Sequence, residues 1–250
     1  MTRPVTHTPP IPAADPSTRG AAMTHVGCVR AVNEDAIYHD ADGICWAVAD
    51  GMGGHGHGDM AAGMAVAALS EMTSFDAPAA ALRHAVATAN DRIFAHAQRE
   101  RLGPIGTTLV AAVVRAGMAH VVWVGDSRAY RWRHGHLEAL TRDHSVVQDL
   151  IDRGHIVEAE AEAHPQRHVV TRAVGVRPMV QADYVASAVV PGDRLLLCSD
   201  GLTACVDETD IEALLGADAP AETICSDLVE TALSKGAPDN VSVAIITVDG

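Results

Sequence analysis

The stretch VADGMGGHGHGD, residues 48–59, sets the carboxylate of Asp50 at the end of an apolar run and follows it with five glycines, Gly51, Gly53, Gly54, Gly56 and Gly58. Glycine-rich turns after a strand usually bring backbone N–H groups to an anion. A carboxylate at that mouth repels such a ligand unless a cation lies between them. More acids stand at similar boundaries: Asp126 in VGDSR, Asp200 in CSDG, Asp239 in APDN, and Glu34 with Asp35 in VNEDA. Taken singly, each reads as a turn or cap residue, because Asp-Gly and Asp-Asn are ordinary turn pairs. Asp50 and Asp200, however, each follow an apolar strand and precede glycine, so both carboxylates can leave a sheet edge with little steric cover. Several carboxylates in one cleft repel strongly unless cations separate them, and hard oxygen donors suit Mg2+ or Mn2+ rather than zinc.

Competing motifs weigh less. Gly51 to Gly56 satisfies G-x-G-x-x-G after a strand and before a helix, yet Asp50 would face a pyrophosphate with nothing nearby to neutralise it. No second parallel strand with an acid at its tip follows either. Arg142-Asp143-His144-Ser145 has hydrolase residue types, but adjacent residues do not face one another as a triad requires, so a turn and helix start is the better reading. His55 and His57 read as a solvated loop near the cleft, and His134 and His136 as hairpin-turn residues. His164 reads as a loop residue that can touch substrate. Cys45 and Cys198 lie inside apolar strands and read as packing residues.

The elements that position these residues are segregated by type. Residues 44–50 read as a buried strand, 57 to about 74 as a helix of small residues, and a second helix starts near Pro78 with Asp76 as its cap. Strands follow over 106–115, 119–126, 127–133 and 136–140, joined by links so short that neighbours must be antiparallel. Residues 144–153 read as helix, 193–200 as a strand ending in Asp200, and 240–248 as a final strand. Thr209 and Glu212 match a capping box, and 219–236 is a helix bounded by Pro and Gly. This pattern predicts an α+β fold with antiparallel sheets covered by helices. Residues 141–172 lack a clean period and read as a mobile flap beside the cleft that influences substrate choice.

Composition sets the outer limits. The 250 residues are 48% hydrophobic but only 3% aromatic, so the core is filled by Val, Ala, Leu and Ile. A net charge of −14 argues against nucleic acid and anionic membranes as partners. The five cysteines form no C-x-x-C pair and read as reduced thiols of a cytoplasmic protein. The longest apolar helix-like run, residues 61–69, is far below the ~20 residues of a membrane span, and no export signal is evident. Residues 1–20 are rich in Pro, Thr and Ala and read as a flexible tail, leaving 21–250 as a single catalytic domain.

The ordered stretches GCVRAVNEDA, WAVADGMGGHGHGD, GTTLVAAVV, VVWVGDSRAYRWR, LTRDHS, HPQRHVVTRAVG, DRLLLCSDGLT and DNVSVAII closely resemble the type 2C metal-dependent serine/threonine protein phosphatases in their compact bacterial form. The resemblance covers about residues 22–248. It implies an αββα sandwich, two antiparallel sheets flanked by helix pairs, and hydrolysis of phosphoserine and phosphothreonine by a water activated at a binuclear Mn2+ or Mg2+ centre. By position, Asp50 would bridge the two ions and the Gly51 carbonyl would bind the second. Asp200 and Asp239 would hold the first, and Glu34 would support the second. Asp126 with Asp200 matches a third, weaker site, and Arg30 matches the phosphate-binding arginine. Two ions ~3.5–4 Å apart can acidify a shared water and balance charge along an in-line displacement, and a guanidinium fork suits two phosphate oxygens. The position after Asp50-Gly51 holds a general-acid histidine in many eukaryotic members. Here it is Met52, whose thioether cannot donate a proton. The proton is therefore assigned to the Asp126/Asp200 side of the cleft rather than to His55. The resemblance further implies a monomer that acts on phosphorylated Ser/Thr proteins and opposes a bacterial Ser/Thr kinase. Two rivals are a phosphatase-like regulatory domain without turnover and a phosphatase for small phosphomonoesters. The intact acid set speaks against the first, and leaving-group preference separates the second.

Overall fold

The computed structural model describes residues 17–54, 56–161 and 163–250. In chain order it forms β1 (Thr18–His25), β2 (Asp35–His39), β3 (Cys45–Gly53), α1 (Gly58–Ser70), α2 (Pro78–Glu100), β4 (Ile105–Thr107), β5 (Leu109–Arg115), β6 (Met118–Val124), β7 (Arg128–Arg133), β8 (His136–Ala139), α3 (Val146–Asp152), α4 (Glu158–Ala161), β9 (Asp183–Ala188), β10 (Arg194–Cys198), α5 (Asp200–Thr203), α6 (Glu208–Leu215), α7 (Ala221–Ser234) and β11 (Val241–Val248). One sheet runs β1-β11-β10-β7-β8 and the other β2-β3-β5-β6-β9, with β4 added against the end of β3. Every pairing is antiparallel.

The strands are nearly unbroken apolar runs because each central strand is covered on both faces. Along β11, Val241, Val243 and Ile245 meet the α6–α7 layer, while Ala244, Ile246 and Val248 meet the opposite sheet. In β5, Leu109, Ala111 and Val113 pack on α1 and α2, whereas Val110, Ala112 and Val114 face between the sheets. Three apolar layers result, and they define the αββα sandwich. Ala61, Ala62, Ala65 and Ala68 let α1 lie close on its sheet.

Several local expectations change. Strand β1 begins at Thr18, so Thr18 to Gly20 of the expected tail belong to a sheet, and residues 1–16 lie outside the described residues. Strands β1, β2 and β9 lack an obvious signal because they pair at or near sheet edges with half-exposed mixed sequences. The run 106–115 is broken at Thr108, where the backbone turns to bond Asp50. Ala77, not Asp76, precedes α2, and Asp76 instead accepts a hydrogen bond from Ser74. The cap of α6 is Asp207, which accepts from Asp210 N–H at 2.9 Å. Glu212 serves a different purpose, accepting from Leu137 N–H at 2.7 Å and tying α6 to β8.

Candidate active site

The acids meet where the two sheets end side by side. Glu34 and Asp35 lead into β2, and Asp50 lies late in β3, all on one sheet. Asp200 follows β10 and opens α5, and Asp239 precedes β11, both on the other sheet. Asp126 sits in the turn by which the chain crosses from β6 to β7, that is, from sheet to sheet. Together with Arg30 and Gly51, these residues line one cavity of about 480 Å3; Asp35 stands behind it.

Hydrogen bonds fix Asp50 at its backbone. Its carbonyl accepts from Thr108 N–H at 2.8 Å and from Thr107 Oγ1 at 2.9 Å, and its N–H donates to Thr108 Oγ1 at 3.3 Å. Thr108 Oγ1 also lies 2.6 Å from Ser127 Oγ, next to Asp126. Close approach explains Gly51: a Cβ there would stand 2.1 Å from the Gly58 carbonyl oxygen and 2.5 Å from that of Glu34. Glu34 Oε1 in turn accepts from Gly58 N–H at 2.9 Å, so its charge sits at the positive end of α1. On the other sheet, Asn240 ties the loop that carries Arg30. Its amide donates to the carbonyls of Val26 (2.9 Å) and Val32 (3.1 Å), and its Oδ1 accepts from Glu34 N–H at 2.8 Å. Gly27, at φ +80, lets this loop lie against the Asp239 carbonyl.

Burial and mutual repulsion dominate the electrostatics. Asp50 is pushed well above the usual carboxylate range, first by burial and then by Asp200, Asp35, Asp126 and Asp239. Asp126 is pushed up to about 7 by burial, then by Asp200 and Asp143. Asp200 is raised by burial and by Asp239, against a hydrogen bond from Asp50. Asp35 is raised to about 6 by burial, although Oδ2 accepts from Ser242 Oγ at 2.6 Å and Ser199 Oγ at 2.9 Å. Asp35 Oδ1 and Asp200 Oδ1 are buried with no hydrogen-bond partner. Buried acids that repel one another, with a partnerless oxygen of Asp200 among them, form a set that cations would satisfy. The cage is not closed: among the described residues, no three His, Cys, Asp or Glu side chains stand as a ready-made ligand group. Asp239 turns instead to Arg30, accepting from Nη2 at 2.7 Å.

Other expected residues stand apart. His144 is buried; its Nδ1 accepts from Gly125 N–H at 3.1 Å and its Nε2 lies 3.2 Å from Asp183, so it anchors the turn before Asp126. His57 Nδ1 donates to the Gly54 carbonyl at 3.0 Å, and His55 lies outside the described residues. His164 Nδ1 accepts from Gln166 N–H within its own turn. Cys45 and Cys198 are fully buried. The sequence reading missed Thr108, Asn240 and His168. Thr108 and Asn240 act through hydrogen bonds to chain-distant partners, and His168 reaches the cleft from the segment between α4 and β9. Only the Asp239-Asn240 pair itself hinted at a structured turn.

A two-sheet sandwich with paired helices outside and an acid-lined cleft at the strand ends defines the metal-dependent protein phosphatase class. Residues 20–231 match the family model of protein phosphatase 2C, and the chain belongs to that family. The serine/threonine protein phosphatase PstP of Mycobacterium tuberculosis is 41% identical over 236 residues, which are 92% of this chain and 45% of PstP. The chain thus spans about half the length of that relative. A solved structure of PppA, a key regulatory component of T6SS in Pseudomonas aeruginosa, has a TM-score of 0.84 at 39% identity, covering 93% of this chain and 98% of that one. The catalytic domain of PstP in complex with two manganese ions has a TM-score of 0.87 at 35% identity, covering 94% of this chain and all of that domain.

Proposed function

We propose that this chain hydrolyses phosphoserine and phosphothreonine in proteins at a centre of two Mn2+ or Mg2+ ions, and so opposes a Ser/Thr kinase. The observation that carries this reading is the meeting of Glu34, Asp50, Gly51, Asp126, Asp200 and Asp239 with Arg30 in one cleft. Asp50, the Gly51 carbonyl, Asp200 and Asp239 would hold the two ions, with Glu34 in support and Asp126 with Asp200 at a third, weaker position. The partnerless oxygen of Asp200 and the mutual repulsion of the buried acids fit such ions. When bound, the ions supply positive charge that acidifies water and offsets the charge of the phosphoryl group. Arg30, on the rim, presents a guanidinium fork to phosphate oxygens. Met52 lines the cleft but donates no proton, so leaving-group protonation belongs to the Asp126 side.

The free cysteines support a reducing, cytoplasmic setting. No helix among the described residues is long and apolar enough to cross a membrane. The deciding experiment is phosphate release from phosphothreonine peptides with Mn2+, with and without EDTA. Turnover that needs the ion, and that Asp239→Asn abolishes in a folded protein, is expected. Activity surviving exhaustive chelation removes the reading.

A further inference from the structure

Two more cavities continue from the catalytic cleft along one side of the molecule. The first, about 470 Å3, shares Met52 and Val170 with the cleft and adds Val176, Met179 and Arg177. The second, about 350 Å3, shares Val180 and Gln181 with the first and ends at Arg83 on α2. The three form one path from the acid cluster to a helix surface.

The path combines two chemistries. One is apolar. Met179 is 85% exposed and Val176 is 37% exposed, the first being an unusual position for a large apolar side chain. The other is basic: Arg172 and Arg177 line the first of these cavities beside Val176 and Met179, and Arg83 stands at the far end. Arg172 is partly neutralised, since Nη1 donates to Asp183 at 3.0 Å. Arg177 and Arg83 make no ion pair among the described residues; Arg83 lies over the Tyr184 ring at 4.9 Å, and Tyr184 OH is 2.6 Å from His120 Nδ1. Arg177 and Arg83 thus leave positive charge along one path of a chain with 32 acids and 18 lysines and arginines.

We infer that this path, from Met52 past Val176 and Met179 to Arg177 and Arg83, binds the substrate segment adjoining the phosphorylated residue and selects an apolar side chain next to it and acidic side chains further out. The inference rests on the phosphatase reading, because the phosphate anchors the segment at Arg30. Met52 then has a positive role: it forms the wall shared by the cleft and the apolar cavity. Continuity favours this occupant, since the cleft that holds Asp50 and Arg30 opens past Met52 and Val170 into the first of these cavities. Charge favours it too, since Arg177 and Arg83 attract carboxylates and repel lysines.

The test is a panel of phosphothreonine peptides with Leu or Gly beside the phosphothreonine and Glu or Lys two to four residues away, placed on either side. The Mn2+-loaded protein is assayed for kcat/KM on each, and binding of fluorescent versions is followed by anisotropy. Leu with Glu is expected to exceed Gly with Lys by roughly 10-fold on one side of the phosphothreonine. Arg177→Glu should invert the Glu-over-Lys preference, and Met179→Glu should remove the Leu preference, with p-nitrophenyl phosphate hydrolysis unchanged in both. Inversion by charge reversal is a result that a merely structural role for Arg177 does not produce. Equal rates and equal binding across the panel overturn the inference, as does an Arg177→Glu loss shared by every peptide. Failure of the wild type on p-nitrophenyl phosphate counts against the phosphatase reading instead, and the anisotropy selectivity still decides the path.

Discussion

Arg30 meets Asp239 through Nη2, and its guanidinium has further N–H donors for a phosphate. The two are paired at 2.7 Å, and Asp239 holds the guanidinium in its charged form, chiefly through that hydrogen bond. A cation that draws Asp239 away frees that nitrogen for substrate as well. Arg30→Ala should therefore raise KM far more than it lowers kcat, since a charged bidentate contact is worth roughly 2 kcal/mol, or about 30-fold. Steady-state kinetics check this, and Arg30→Lys should recover only part of the loss. An unchanged KM in both variants assigns Arg30 to structure. At Asp126 the expected effect is selective. Asp126→Ala should slow phosphothreonine peptides about 10²–10⁴-fold, the usual worth of a matched general acid. It should leave p-nitrophenyl phosphate nearly unaffected, because that leaving group needs little protonation. If His55→Ala gives the selective loss and Asp126→Ala does not, the imidazole is the acid. Arg30 and Glu34 were picked out by family resemblance, whereas Asp50, Asp200 and Asp239 were legible because Asp-Gly and Asp-Asn at strand ends leave a mark in the sequence. Thr108 and Asn240 were not, because a threonine in a strand and an asparagine before one are ordinary until their partners 58 and 206 residues away are known.

At the scale of elements, the crossing turn from β6 to β7 depends on a histidine that sequence logic set aside. His144 accepts the Gly125 N–H with Nδ1, which requires that nitrogen to be unprotonated. Burial lowers its pKa below 6.5, and Asp183 only partly opposes this. The sign follows. Below pH 6.5 the unfolded chain takes up a proton that the folded state resists, so this part of the stability is present above that value and is lost as pH falls. The raised carboxyls of Asp35 and Asp126 act in the opposite direction over the same range, so the effect is read as a difference: the Tm of wild type should fall relative to that of His144→Asn between about pH 7 and pH 5. Equal slopes exclude His144 as the cause. The main helices and the central strands were legible from apolar periodicity and turn residues. The edge strands were not, and the break at Thr108 was hidden inside a run that reads as one strand. Its cause is tertiary, the need to bond the carbonyl of Asp50.

At the scale of the whole molecule, five acids are gathered where both sheets end, and folding without cations works against their repulsion. Removing one charge should relieve it. Asp50→Asn is expected to melt higher than wild type in EDTA and to lose most of the Tm increase that Mn2+ gives wild type, since a ligand that binds only the folded state stabilises it. Identical Mn2+ increments in both proteins would exclude Asp50 from ion binding. The same gathering has a mechanical side. Glu34 and Asp50 ride on one sheet, Asp200 and Asp239 on the other, and between them lies a layer set by Ala112, Ala129, Ala244 and their Val, Leu and Ile neighbours. Ala244→Leu would wedge that layer apart, and Ala232→Leu would overfill the packing of α7 on its own sheet. Each should cost about 1–3 kcal/mol of stability. Only the first should weaken Mn2+ binding by calorimetry, and equal weakening by both would show that the spacing is not what matters. The affinity of the acids for an ion then works as a ruler laid across the gap, reading the distance between two sheets from residues that never touch the ion.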